Sequence, residues 1–238
     1  MAAEFDLIVR NGTVIDGTGA EPVSADVAIK DGKIAAVGRI EGTATREIDA
    51  AGKLVTPGFV DIHTHYDAQV VWDKHLAPST LHGVTTVVMG NCGVGFAPCK
   101  PEDRNKLVEL MEGVEDIPGA VMHEGLEWTW ESFPEYLDAV EKMPHDADVC
   151  ALLPHSAVRV NVMGDRAVAF EPATPEDIEQ MRAITKEAIE AGAFGVSTSR
   201  TTSHKTLAGE YVPTLRVYED ELMGLANGLR DAGSGFIE

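Results

Sequence analysis

The pattern of apolar and polar positions divides the chain near Pro57. Before it, apolar runs are short, lack helical period and stop at turn residues, as strands do. Residues 5–10 form one run, closed by Asn11-Gly12, and Thr13-Val14-Ile15 leads into Asp16-Gly17-Thr18-Gly19. Residues 26–30 and 33–37 flank Asp31-Gly32, a two-residue hairpin signal because both positions tolerate positive φ. Ala51-Gly52 precedes a last run, Lys53-Leu54-Val55. Residues 1–57 therefore predict a small β module.

After Pro57-Gly58 strands alternate with helices. Strands are expected at 59–62, 84–89, 149–153 and 194–197. The clearest helix covers 175–191, with Thr174 as N-cap, Pro175 in the first turn, and Glu176 and Asp177 at the positive end of its dipole. Ile178, Met181, Ile184, Thr185, Ala188 and Ile189 share one face, and Gly192 ends it. A second helix is expected over 219–232, with Leu222, Leu225, Ala226 and Leu229 inward. Strand, helix, strand repeated in this way predicts an α/β unit with a parallel sheet or barrel. Residues 99–148 are too many for a plain connection and predict an elaborated insert containing helices. Trp128 and Trp130 stand in it, either covering a substrate or packing the insert's own core. Residues 234–238 read as a fifth strand just begun. A closed (β/α)8 barrel takes about 250 residues, so 58–238 is expected to be the first half of a barrel in a larger enzyme.

Charge narrows the function. Nineteen Lys and Arg against 39 Asp and Glu give a net charge of -20. That disfavours nucleic acid and anionic membranes as partners. No apolar run approaches the roughly 20 residues of a membrane helix, and no secretory signal is visible. Three cysteines without a Cys-x-x-Cys pair suggest neither a disulfide framework nor a zinc finger, so a reduced, cytoplasmic setting fits. A phosphate loop, a dinucleotide fingerprint and a Gly-x-Ser-x-Gly elbow are all missing.

The sharpest chemical signal is Pro57-Gly58-Phe59-Val60-Asp61-Ile62-His63-Thr64-His65. Alternation along a strand puts His63 and His65 on one face, at the end where barrel active sites form. Two imidazoles there can hold a divalent metal, zinc above all. Asp61 shares the parity and could orient His63 by accepting a hydrogen bond. In Gly83-Val84-Thr85-Thr86-Val87-Val88-Met89-Gly90-Asn91-Cys92-Gly93, Cys92 falls at the end of the neighbouring strand, where a thiolate would be a third ligand. Cys99 and Cys150 occupy no such place.

Together these motifs resemble the amidohydrolase superfamily, and within it the N-acyl-D-amino-acid deacylase (D-aminoacylase) branch. The superfamily pattern is a β module leading through Pro-Gly into a strand ending His-x-His. The branch pattern is a cysteine in an Asn-Cys-Gly context after the second strand. His155-Ser156-Ala157-Val158-Arg159 and Gly192-Ala193-Phe194-Gly195-Val196-Ser197-Thr198 add to the likeness. The resemblance implies a β-sandwich joined to a (β/α)8 TIM-type barrel and hydrolysis of the amide of N-acyl-D-amino acids. It implies zinc held tightly by Cys92, and His63 and His65 at a second, weaker position. The general base and the remaining histidine ligands are expected beyond Glu238, so the chain is expected to be a fragment, inactive and prone to aggregate alone. His155 and Arg159, after the third strand, either meet a substrate carboxylate or serve packing. Tyr211 is a further candidate substrate contact. His75, His82, His123 and His145 read as surface or packing residues, and His204 and Lys205 as ordinary loop residues. Two alternatives stay open: another cyclic-amide or dipeptide hydrolase on the same scaffold, and a non-catalytic assembly protein that kept the scaffold.

Overall fold

A computed structural model of the chain describes residues 3–115 and 117–238. They form two compact units that divide after Gly58.

The first unit is one sheet of five strands: β1 (Phe5–Val14), β2 (Val23–Lys30), β3 (Lys33–Gly38), β4 (Ala44–Asp49) and β5 (Leu54–Val55). Their order is β3-β2-β1-β4, and β5 also pairs with β1. β2 runs antiparallel to β1 and β3, whereas β4 and β5 run parallel to β1. The β2–β3 hairpin turns at Asp31-Gly32 with positive φ at both residues, as the sequence predicts. Asn11-Gly12 does otherwise: β1 continues through it, and its register against β2 shifts between Val9 and Gly12. Asn11 has φ 61°, its N–H donates to Asp26 Oδ1 and its amide to Asp49 Oδ1. A bulge and a tight turn ask for the same left-handed backbone, which is why one signal served for both. β4 carries mostly charged and polar residues. Arg10 on β1 pairs with its Glu47 and with Asp26 on β2, and donates to the carbonyls of Ile40 and Gly42. Val9, Val27, Ile29, Ile34, Val37 and Val55 line an apolar cleft of about 520 Å³ on the sheet.

The second unit is a parallel sheet of β6 (Phe59–Asp61), β7 (Val84–Met89), β8 (Asp148–Pro154) and β9 (Gly195–Ser197), in the same order in space as in sequence. Ile237 adds a parallel bridge to Val196, where the fifth strand is expected. Between β7 and β8 lie α1 (Arg104–Glu115), α2 (Gly119–Gly125) and α3 (Phe133–Glu141). Between β8 and β9 lie α4 (His155–Met163), α5 (Asp165–Val168) and α6 (Pro175–Ala191), and α7 (Glu219–Ala232) follows β9. The fold class is α/β, as expected.

α6 begins with a reciprocal cap: Thr174 Oγ1 accepts from the Asp177 N–H, and the Asp177 carboxylate accepts from the Thr174 N–H. α7 packs closely on α6, and a Cβ on Gly228 would stand 2.7 Å from the Arg182 carbonyl oxygen. The core runs from Met89 and Leu153 on the sheet to Leu107, Met111, Phe133 and Met181 on the helices. In the insert, Trp130 is buried against Tyr136 with ring centroids 5.1 Å apart and donates Nε1–H to the Phe96 carbonyl. That tryptophan serves the packing of the insert. Among the described residues, no helix is long and apolar enough to cross a membrane.

Candidate metal centre

β6 stops at Asp61, and the two histidines follow immediately. Thr64 between them is buried; its N–H and its hydroxyl both donate to the Val88 carbonyl on β7, at 3.0 and 2.8 Å. That grip ties the segment to β7, and the flanking His63 and His65 rings lie 5.3 Å apart. Asp61 accepts from the His63 backbone N–H at 3.4 Å and from Ser79 Oγ at 3.1 Å. It therefore orients His63 through the main chain and not, as its parity suggested, through the ring.

Cys92 sits in the turn that ends β7. Its Sγ lies 3.4 Å from His63 Nε2. One ligand atom from each of His63, His65 and Cys92 falls within 4.8 Å of the others. Among the described residues two carboxylates face this cluster: Glu115 Oε2 is 3.3 Å from His65 Nε2, and Glu238 Oε1 is 3.6 Å from His63 Nδ1. Glu115 ends α1, so the insert reaches the site. The asparagine before the cysteine ties the two ligand segments together: buried Asn91 donates its amide to the carbonyls of Thr64 and Val88. Buried Asp67 accepts from the Gly90 N–H at 3.1 Å.

Electrostatics decides what the cluster can hold. Burial, with the nearby His63 and His204, pushes the His65 pKa down to about 4, so its imidazole is neutral near pH 7. Its Nδ1 is buried without a hydrogen-bond partner among the described residues. A neutral imidazole with an unclaimed buried nitrogen suits a cation. Burial, then the charges of Glu115, Glu238 and Asp67, pushes the Cys92 thiol up to about 11. Without a cation that sulfur keeps its proton; a dication beside it would reverse the balance. Two imidazoles and one thiolate form a borderline-soft set that matches zinc. The residues fit the metal.

Two other sequence candidates, His155 and Arg159, lie deeper. His155 is fully buried at the start of α4, which springs from β8 with no intervening loop. Its Nδ1 contacts Thr198 Oγ1 at 2.8 Å and its Nε2 contacts Glu221 Oε1 at 2.9 Å. Arg159 pairs with the second oxygen of the same glutamate and donates to the Glu171 carbonyl. Glu221, on α7, balances both. Burial alone would raise its carboxyl, and the hydrogen bonds of His155 and Arg159 hold it below the usual range. Both nitrogens of His155 and both terminal nitrogens of Arg159 are thus used within the protein, while Arg159 Nε is buried without a partner among the described residues; the contacts made are those of packing. Tyr211 lies on the loop after β9, bridged to Lys205, whose ammonium sits 4.7 Å from the Tyr211 ring centroid. Cys99 is buried and Cys150 half-buried, both free and neither in the cluster. His75 pairs with Asp146 at the surface, as expected.

Sequence reasoning missed Glu115 and Glu238, which reach the cluster from distant segments; His204, read as an ordinary loop residue, is near enough to help depress the His65 pKa. Asp67 had a signal, since it continues the two-residue spacing of His63 and His65.

Comparison with known proteins finds relatives across most of this chain. The family model described as "Amidohydrolase family" matches residues 46–237. An uncharacterised protein of Mycobacterium tuberculosis is 40% identical over 201 residues, 81% of this chain and 32% of its own length. The D-aminoacylase of Alcaligenes xylosoxydans xylosoxydans is 33% identical over 230 residues, 96% of this chain and 43% of its own. A crystal structure of a D-aminoacylase superposes with a TM-score of 0.78 at 34% identity, over 97% of this chain and 44% of that one. The N-acyl-D-glutamate deacylase of Bordetella bronchiseptica, solved with zinc and a phosphonate inhibitor, gives 0.77 at 33%, over 95% and 43%. The chain spans between about a third and just under half of these relatives' lengths. It belongs to the amidohydrolase family, in the company of its D-aminoacylase-like members.

Proposed function

We propose that the protein is a zinc-dependent amidohydrolase that cleaves the amide bond of N-acyl-D-amino acids, releasing a carboxylate and the free D-amino acid. The observation that carries this is the meeting of His63, His65 and Cys92 at the C-terminal edge of a parallel sheet, in a chain a third identical to deacylases of such substrates. We infer that Cys92 holds one zinc tightly and that His63 and His65 serve a second, weaker position. A complete (β/α)8 barrel, and a second layer against the first unit's sheet, belong to the same reading.

Zinc, when bound, supplies Lewis acidity: it polarises an acyl carbonyl and lowers the pKa of water. The chain's own residues prepare the place for it. His65 stays neutral and offers a free nitrogen, because burial disfavours its charged form. Glu115 and Glu238 bring negative charge against the two histidines, which favours a dication over a water-filled gap. Thr64 and Asn91 keep both ligand segments on β7. To hold a cation Cys92 Sγ would have to give up its proton, so metal uptake would release protons and weaken as pH falls.

The test is zinc content and hydrolysis measured side by side on N-acetyl-D- and N-acetyl-L-amino acids. It is run on the 238-residue chain and, since the relatives are more than twice as long, on any longer product of the same reading frame. D-selective release with bound zinc is expected in at least the longer product, and Cys92→Ala should lose both the tight zinc and turnover. Zinc without cleavage of either enantiomer would overturn the substrate. Absence of zinc would overturn the chemistry.

A further inference from the structure

The cysteine of the metal cluster occupies a costly backbone conformation. Cys92 has φ 57° and ψ 10°, the left-handed region that side chains avoid. Such a residue persists only where its surroundings hold it there. The turn from Gly90 to Gly93 is held from several sides. Asp67 takes the Gly90 N–H, and Asn91 reaches back to Thr64 and Val88. A Cβ on Gly90 would stand 2.3 Å from the Leu152 carbonyl oxygen, so the turn lies directly on β8. The remaining hold comes from beyond β8. Ser197, at the end of β9, is fully buried. Its Oγ accepts from the Gly93 N–H at 3.0 Å and donates in a short hydrogen bond to the Gly90 carbonyl. One hydroxyl thus closes the turn at both ends, with Cys92 inside it.

We propose that Ser197 is a positioning residue for the metal-binding sulfur of Cys92, acting by clamping the Gly90–Gly93 turn. The inference rests on the zinc reading above. A hydroxyl is suited to the task because it donates and accepts at one atom. An apolar side chain there removes two hydrogen bonds from buried backbone groups, a cost the turn relieves by shifting. Residue 92 then drifts toward ordinary φ, and Sγ leaves the reach of His63 and His65. Side chains that only orient metal ligands typically matter by 10–100-fold in affinity.

The experiment compares the isosteric pair Ser197→Thr and Ser197→Val, together with Ser197→Ala, in the same chain. Zinc affinity is measured by competition with a chelator. Substituted Co(II) reports the sulfur directly through its thiolate-to-metal charge-transfer band. Thr185→Ala is the control for burial: its hydroxyl is also fully buried, but bonds the Met181 carbonyl within α6. Expected are a charge-transfer band in the wild type and in Ser197→Thr, and a zinc affinity about 10-fold or more weaker in Ser197→Val than in Ser197→Thr. The band should weaken in Ser197→Val, while Thr185→Ala leaves band and affinity unchanged. Equal affinity and equal bands in the isosteric pair would overturn the clamp, even if Ser197→Ala fails to fold. Equal losses in Ser197→Val and Thr185→Ala would show general destabilisation and overturn it too. A wild type that binds Co(II) with no thiolate band would sink the zinc reading first, and the clamp with it.

Discussion

Arg159 pairs with Glu221 where water does not reach, and His155 completes the cluster. Removing one member of a buried ion pair strands its partner's charge, which typically costs about 3–5 kcal/mol. Arg159→Met should therefore lower the unfolding free energy measured in urea by an amount of that order, and Glu221→Gln, which strands the Arg159 guanidinium, by a similar amount. A stability loss within error for Arg159→Met would show that the pair is solvated. Glu221 and Asp177 also fix an acid limit. Burial pushes both carboxyls up, and their hydrogen-bonding partners, His155 and Arg159 for one and Arg166 and Thr174 for the other, more than offset it. Both folded pKa values lie below the unfolded ones. Their stabilisation is thus complete above the ordinary carboxylate range near pH 4 and lost as pH falls through the depressed values. Asp177→Asn should flatten the fall in melting temperature below about pH 4. At this scale the sequence reveals residues that lie close along the chain. His63, His65 and Cys92 end neighbouring strands, so spacing alone brings them together. Glu115 and Ser197 arrive from α1 and β9, and no local pattern marks them.

At the scale of elements, regular strands and helices are legible where local chemistry and packing agree. α6 shows its cap, its apolar face and its stop in sequence, and it folds over the expected residues. The cap itself is measurable: Thr174→Ala should cost about 1 kcal/mol, read as a shift in denaturation midpoint with an unchanged slope. The junction of α6 and α7 is less legible, because it depends on what is absent from a side chain. Gly228→Ala places a methyl against the Arg182 carbonyl and the Thr185 side chain, and should cost about 1–3 kcal/mol by forcing the helices apart. A neutral outcome would mean that the pair slides freely. α4 escaped notice for a related reason. It starts at His155 without a side-chain cap, directly from the last residue of β8. β4 escaped because its charges, satisfied by Arg10, look like those of a loop.

At the scale of the whole molecule, two terms oppose each other. The first unit exposes Val23, Ile34, Val37 and Leu54, and the second exposes Phe59, Val60, Ile62 and Phe236. Apolar side chains grouped in this way, on a sheet and along its strand ends, favour self-association. The net charge of -20 opposes it, because like-charged chains repel. Salt separates the two. It screens repulsion, with a Debye length falling from about 30 Å at 0.01 M to about 3 Å at 1 M, and leaves apolar association intact. The chain should therefore sediment with more monomer at low salt and shift toward larger species as sodium chloride rises at fixed pH. Ile34→Lys with Val37→Lys should reduce that shift by interrupting the first unit's apolar cleft, which both residues line. The opposite salt dependence, with association strongest at low salt, would mean that complementary charges drive it. A monomer at every salt concentration would mean that the exposed apolar side chains are covered in solution by something within the same molecule.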